Sequence, residues 1–86
     1  MRYVIVGLGN IGEKRRAALG DRCVATVDPF NAAADHRRPE ECPLDRYDAA
    51  ILAVPNDAKL ALMAYYLSRG KHVLVEKPLI TDAAAA

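Results

Sequence analysis

The sequence predicts an α/β fold built on a doubly wound parallel sheet, and three observations predict it. Short apolar runs at residues 2–6 (RYVIV), 22–27 (RCVATV), 49–54 (AAILAV) and 72–75 (HVLV) have the composition of strands buried on both faces. Stretches of helical period separate the first two runs and the last two. The resulting order is strand, helix, strand, irregular connection, strand, helix, strand, which right-handed crossovers assemble into a single parallel sheet.

Each element has its own signal. Residues 2–6 form a β-branched run that ends directly in glycines. In the helix expected over residues 11–19, Ile11, Ala18 and Leu19 share a face, Lys14, Arg15 and Arg16 occupy the rest, and Gly20 marks the stop. The second strand ends at Asp28. Residues 29–47 are weakly patterned, rich in charge and in proline (Pro29, Pro39, Pro43), and allow at most one short strand around residues 33–37. The run at 49–54 is wholly apolar between Asp48 and Pro55. Asn56 or Asp57 then caps a helix in which Leu60, Met63, Ala64 and Leu67 fall at i, i+3, i+4 and i+7, ended by Gly70. After the run at 72–75, Thr81 or Asp82 caps an alanine-rich helix.

With 86 residues the chain is one small domain, which buries only about two-thirds of the surface its unfolded form exposes. Twelve basic and eleven acidic side chains leave a formal net charge of +1, so bulk charge suggests neither a nucleic-acid nor a membrane partner. Cys23 and Cys42 have no metal-ligand spacing and read as reduced thiols. With no leader-like or long apolar stretch, the expected compartment is the cytoplasm.

Gly7-Leu8-Gly9-Asn10-Ile11-Gly12 is a G-x-G-x-x-G pattern, weak alone but placed here between a strand and a helix. Asp28 closes the second strand 21 positions after Gly7, completing a dinucleotide-binding fingerprint. In this reading Gly7 permits the tight turn, Gly9 has no Cβ to block a pyrophosphate, and Gly12 lets the helix lie close while its first N–H groups face the phosphates. Asp28 accepts hydrogen bonds from the adenosine ribose hydroxyls. The plain alternative is a glycine-rich turn with a capping aspartate. A P-loop is excluded because Glu13 and Lys14 follow Gly12 where Lys and Ser or Thr are required. The carboxylate of Asp28 would repel a 2′-phosphate, and Pro29 and Phe30 follow it, so NAD is expected over NADP. Arg37 and Arg38 read first as a solvated pair, with a role at that phosphate as the alternative.

The stretches VIVGLGNIG, DAAILAVPND and GKHVLVEKPL together resemble the glucose-fructose oxidoreductase, inositol dehydrogenase and MocA family (Gfo/Idh/MocA). The resemblance implies a Rossmann-type NAD-binding domain of a dehydrogenase. It places Lys77 beside the nicotinamide and substrate as the catalytic lysine, with Glu76 next to it, and puts Pro55 and Asn56 in the loop lining the cofactor; Asn56 reads equally as a helix cap. The implied substrate is a small polyol or sugar, cyclitol or nucleotide sugar. Three departures matter. Only 19 residues, 29 to 47, separate Asp28 from Asp48, so the domain is abbreviated between its second and fourth strands and at least one helix is lost or reduced to a turn. That shortening is expected to leave apolar surface for a missing domain or a partner subunit to cover, a homo-oligomer included. Lys59 stands where many members have a histidine. The family's substrate domain, with its catalytic histidine and acid, is absent, so residues 1–86 are expected to be a truncated dinucleotide-binding domain inactive alone. A rival of another class is a non-catalytic nucleotide-sensing domain like those of potassium-uptake regulators; the EKPL segment, residues 76–79, argues against it. A third reading is a fragment or degenerate paralogue that binds dinucleotide without turnover.

Overall fold

In a computed structural model of the chain, residues 1–75 are described; Glu76, Lys77 and the expected cap at Thr81 or Asp82 lie outside the described residues. Four strands, β1 (Tyr3–Val6), β2 (Cys23–Val27), β3 (Ala49–Leu52) and β4 (His72–Val75), form one parallel sheet in the order β2-β1-β3-β4. Helix α1 (Asn10–Leu19) connects β1 to β2, and α2 (Asn56–Ser68) connects β3 to β4. The doubly wound α/β class is therefore present.

Alternation along the strands divides the core between the two faces of the sheet. Val4, Val6, Ala50 and Leu52 point to one face and pack with Cys42, Tyr47 and Tyr66, whereas Ile5 and Ile51 point to the other and pack with Leu8 and Leu19. The first face is covered by α2 and by the connection after β2; the second is covered by α1 and the glycine loop. On the second face Leu74 is 52% exposed.

Both helices depart in part from the faces expected of them. In α2, Leu60 is 71% and Leu67 56% exposed, while Lys59, Leu62, Met63 and Tyr66 face inward. Tyr66 accounts for the rotation, because its ring is fully buried edge-on against Tyr47 with centroids 5.8 Å apart. The inward face thus combines the Tyr66 ring with Leu62 and Met63, which pack against the same core cluster. Neither the Tyr47 nor the Tyr66 hydroxyl finds a hydrogen-bond partner among the described residues. Burial raises the pKa of Tyr47 to about 12 and raises that of Tyr66 further. In α1, Leu19 packs inward as expected, whereas Ile11 and Ala18 are exposed and Gly12 is buried against the loop.

The connection from β2 to β3 contains no full third strand. The strand expected around residues 33–37 is reduced to one parallel bridge between Val27 and His36, beyond β2. His36 N–H donates to the Thr26 carbonyl at 3.0 Å, and Asp28 N–H donates to the His36 carbonyl at 2.9 Å. A side chain completes the edge: Asp35 Oδ2 accepts from Thr26 N–H at 3.0 Å and from its hydroxyl at 3.2 Å. Thus three consecutive edge groups are satisfied without a strand, as an exposed edge requires. Two 3₁₀ turns, Pro39–Glu41 and Leu44–Arg46, stand where the missing helix was expected to be lost or reduced. Lys71 anchors their end, its ammonium donating to the carbonyls of Leu44 at 2.6 Å and Tyr47 at 2.8 Å.

Candidate functional site

The chain leaves β1 to one side through α1 and leaves β3 to the other side through α2. Between β1 and β3, at their carboxyl ends, the sheet therefore has the topological switch point at which doubly wound folds bind ligands. A cleft of about 710 Å³ opens there. Its floor is Val6 and Gly7 after β1, Val27 and Asp28 after β2, and Ala53, Val54 and Pro55 after β3; Ala58, Ala61 and Leu62 of α2 form one wall.

The three glycines differ in what they require. Gly7 has φ +97°, and a Cβ on it would overlap the Ala53 carbonyl. Its N–H donates to Val27 O at 2.7 Å, which ties the turn to β2. At Gly12 a Cβ would overlap the Gly7 carbonyl, so the first turn of α1 lies directly on the loop only because that side chain is missing. Gly9 has φ −79° and ψ −163°, which other residues adopt, and a Cβ there would meet nothing within 4 Å. Because Gly9 lines the cleft, the space its absent side chain leaves belongs to the cleft and not to the protein core. Gly9 is also the N-cap of α1, with no side-chain cap, and its carbonyl accepts the Glu13 N–H at 3.0 Å. The N–H groups of the first turn are thus left without intrahelical acceptors beside the cleft.

Asp28 holds this loop. Its Oδ2 accepts Leu8 N–H at 2.7 Å, and its Oδ1 accepts Phe30 N–H at 2.8 Å and Asn31 N–H at 3.2 Å. Asn31 completes the latch by donating from Nδ2 to the Leu8 carbonyl at 3.0 Å, so both polar groups of the Leu8 residue are fixed by side chains from the β2 end. Partial burial works to raise the Asp28 pKa, but the three N–H donors outweigh it and hold the carboxyl below its ordinary 3.8. A carboxylate has roughly four acceptor positions. Among the described residues three are filled, which leaves one on Oδ2.

The expected site residues are only partly gathered. Gly7, Gly9, Asp28 and Pro55 line the one cleft. Asn10 and Ile11 begin α1 and are exposed beside it, Gly12 is buried beneath the loop, and Asn56 begins α2, exposed, with Pro55 in the capping position. Glu76 and Lys77 fall outside the described residues. Sequence reasoning gave no site role to Phe30, Glu40, Asp57 or Asn31, and read Arg37 and Arg38 first as solvated; the structure brings all but Asn31 to the cleft wall. The one legible signal for Asn31 was the turn preference of asparagine, whose Oδ1 here accepts the Ala33 N–H two residues on at 2.9 Å. Among the described residues no helix is long and apolar enough to cross a membrane.

A glycine loop that tolerates no side chain at two positions and leaves the third open to a cleft is suited to a diphosphate, and an acid at the end of the next strand is suited to a ribose. The fold and the site thus define a dinucleotide-binding α/β domain. A family model described as "Oxidoreductase family, NAD-binding Rossmann fold" (GFO_IDH_MocA) matches residues 22–86, and the chain belongs to that family. The match begins at the last residue before β2, so the glycine loop at residues 7–12 supports the same assignment from outside the matched region. No curated protein and no solved structure matches the chain.

Proposed function

We propose that this chain holds the nicotinamide cofactor of a dehydrogenase that moves a hydride between the nicotinamide and a secondary alcohol or ketone. The observation that carries the proposal is the Gly9 position, open to a cleft at the sheet's switch point beside a helix N-terminus. The first-turn N–H groups of α1 and the backbone of the glycine loop bind the diphosphate. Asp28, with one acceptor position left, takes a single ribose hydroxyl. Its negative charge makes NAD the favoured cofactor. Pro55 and the apolar side of α2 form the wall towards the nicotinamide half and keep water from it.

When bound, the nicotinamide supplies a hydride-accepting or hydride-donating carbon. What this chain adds at the reacting oxygen is Lys77, which the family resemblance places there to polarise the oxygen and to hold or release its proton. The sugar, cyclitol or nucleotide-sugar substrate is proposed from the same resemblance, and its binding surface from residues beyond this stretch. In an enzyme that turns over, Lys77→Ala is expected to lower kcat by roughly 100-fold with NADH affinity almost unchanged. Wild-type turnover by that variant would remove Lys77 from the mechanism. Turnover by residues 1–86 alone would overturn the proposal that substrate is held elsewhere.

A further inference from the structure

We infer that Arg37 and Arg38 form an anion subsite beside Asp28 that accepts the 2′-phosphate of NADP(H), so that the cleft takes both cofactors and favours NADH only modestly. The inference rests on the dinucleotide reading above and adds to it the residues that set cofactor choice. The starting point is the abbreviated connection. Because a single bridge at His36 replaces the third strand, the chain turns at the carboxyl edge of the sheet immediately after His36, and the next two residues are Arg37 and Arg38. The bridge itself binds to the residue of interest, since His36 O accepts the Asp28 N–H.

The arginines are held by their backbone and left open at their side chains. Glu41 Oε1 accepts Arg37 N–H at 2.8 Å and Arg38 N–H at 3.4 Å, so this oxygen is engaged with the main chain, although the Glu41 charge also acts on Arg38. Those donors lower the Glu41 pKa and keep it ionised in that role. Arg37 reaches back over the turn, its Nη1 3.4 Å from the Pro29 carbonyl, the residue directly after Asp28. Both arginines line the cleft together with Asp28, and among the described residues neither is in a salt bridge. A guanidinium fork matches a phosphate in shape and charge, and an arginine near the ribose-binding acid is the device that accommodates a 2′-phosphate.

The charges facing this position also set the size of the effect. Asp28 opposes the phosphate from the end of β2, and Glu40 opposes it from the arginines' own turn. Asp57 faces the cleft from α2, two strands away from Asp28. One acid at close range and a second beside the arginines keep NADH ahead. Two exposed guanidinium groups, screened by solvent, reduce the penalty against NADPH to about tenfold or less.

The test is a comparison of NADH and NADPH affinities by fluorescence and calorimetric titration of the full chain, with 5′-AMP and 2′,5′-ADP as short probes. In the wild type, NADPH is expected within about tenfold of NADH. Arg37→Ala with Arg38→Ala is expected to weaken NADPH and 2′,5′-ADP by about tenfold or more while NADH and 5′-AMP change less than about twofold. Lysine at both positions should recover part of the loss, and added salt should erode NADPH binding faster than NADH binding. A double variant that leaves the NADPH to NADH ratio unchanged, or that weakens both cofactors equally, overturns the subsite while leaving the dinucleotide reading intact. A folded wild-type chain that binds neither cofactor overturns both.

Discussion

Replacing Asp28 with alanine removes the acceptor for three backbone N–H groups at once, and the structure allows the loss to be sized. The Phe30 N–H is at the surface and rehydrates, whereas the Leu8 and Asn31 N–H groups are part-buried. Hydrogen bonds to a charged acceptor contribute about 1.5–3 kcal/mol each. Halving that for solvent screening and counting the two part-buried donors gives roughly 1.5–3 kcal/mol. A domain this small has only about 4–13 kcal/mol in total, and a loss of this size lowers Tm by about 10 °C or somewhat more. The assay is thermal unfolding by circular dichroism of wild type and variant, repeated from neutral pH down through the carboxylate range. The sign of the pH effect follows from the depressed pKa. An Asp28 carboxyl held below its ordinary 3.8 contributes stability that is present above that value and is lost as pH falls through the folded-state pKa. Asp48 and Glu41 are depressed in the same direction, by N–H donors from Arg2 and Arg37 respectively, so the diagnostic quantity is the difference between wild type and variant. That difference should be full at neutral pH and vanish in strong acid. A variant that melts within about 2 °C of wild type, or a difference independent of pH, would refute the latch.

Two further outcomes follow from packing. Gly12→Ala is expected to destabilise the chain and abolish cofactor binding together, because a Cβ there would overlap the Gly7 carbonyl; a stable Gly12→Ala chain would contradict the close contact between α1 and the loop. Tyr66→Phe removes a buried hydroxyl without a partner among the described residues and should raise stability by about 1 kcal/mol, read as a higher Tm; a lower Tm would show that the hydroxyl is satisfied.

The elements whose neighbours are close in sequence were the legible ones. Gly7, Gly9, Gly12 and Asp28 could be read because a strand-to-helix turn imposes its requirements within a few residues of chain. The strand positions were legible for the same reason, since runs such as AAIL at Ala49–Leu52 are apolar on both faces. Which face of α2 turns inward was not, because that depends on Tyr47, almost twenty residues upstream, meeting Tyr66 across the sheet face. Periodicity alone favoured the leucine stripe that in fact faces solvent. The latch from Asn31 to Leu8 and the approach of Arg37 to Pro29 were equally hidden, since both depend on how an irregular segment refolds onto the β2 edge. Residues 29–47 carry no period to read, and their placement comes from individual polar contacts such as that between Asp35 and Thr26.

The most direct test of a diphosphate cradle at the glycine loop is titration of the wild-type chain and Gly9→Ala with NADH, followed by cofactor fluorescence, which is clean because the chain contains no tryptophan. Gly9 has ordinary backbone angles and open space where a Cβ would sit, so the variant should fold with a Tm close to wild type. The account predicts saturable binding of NADH by the wild type and a loss of about tenfold or more in the equally stable variant, because the methyl group occupies the space that the diphosphate needs. Equal affinity of both proteins for NADH, or no binding by a folded wild-type chain, would contradict it.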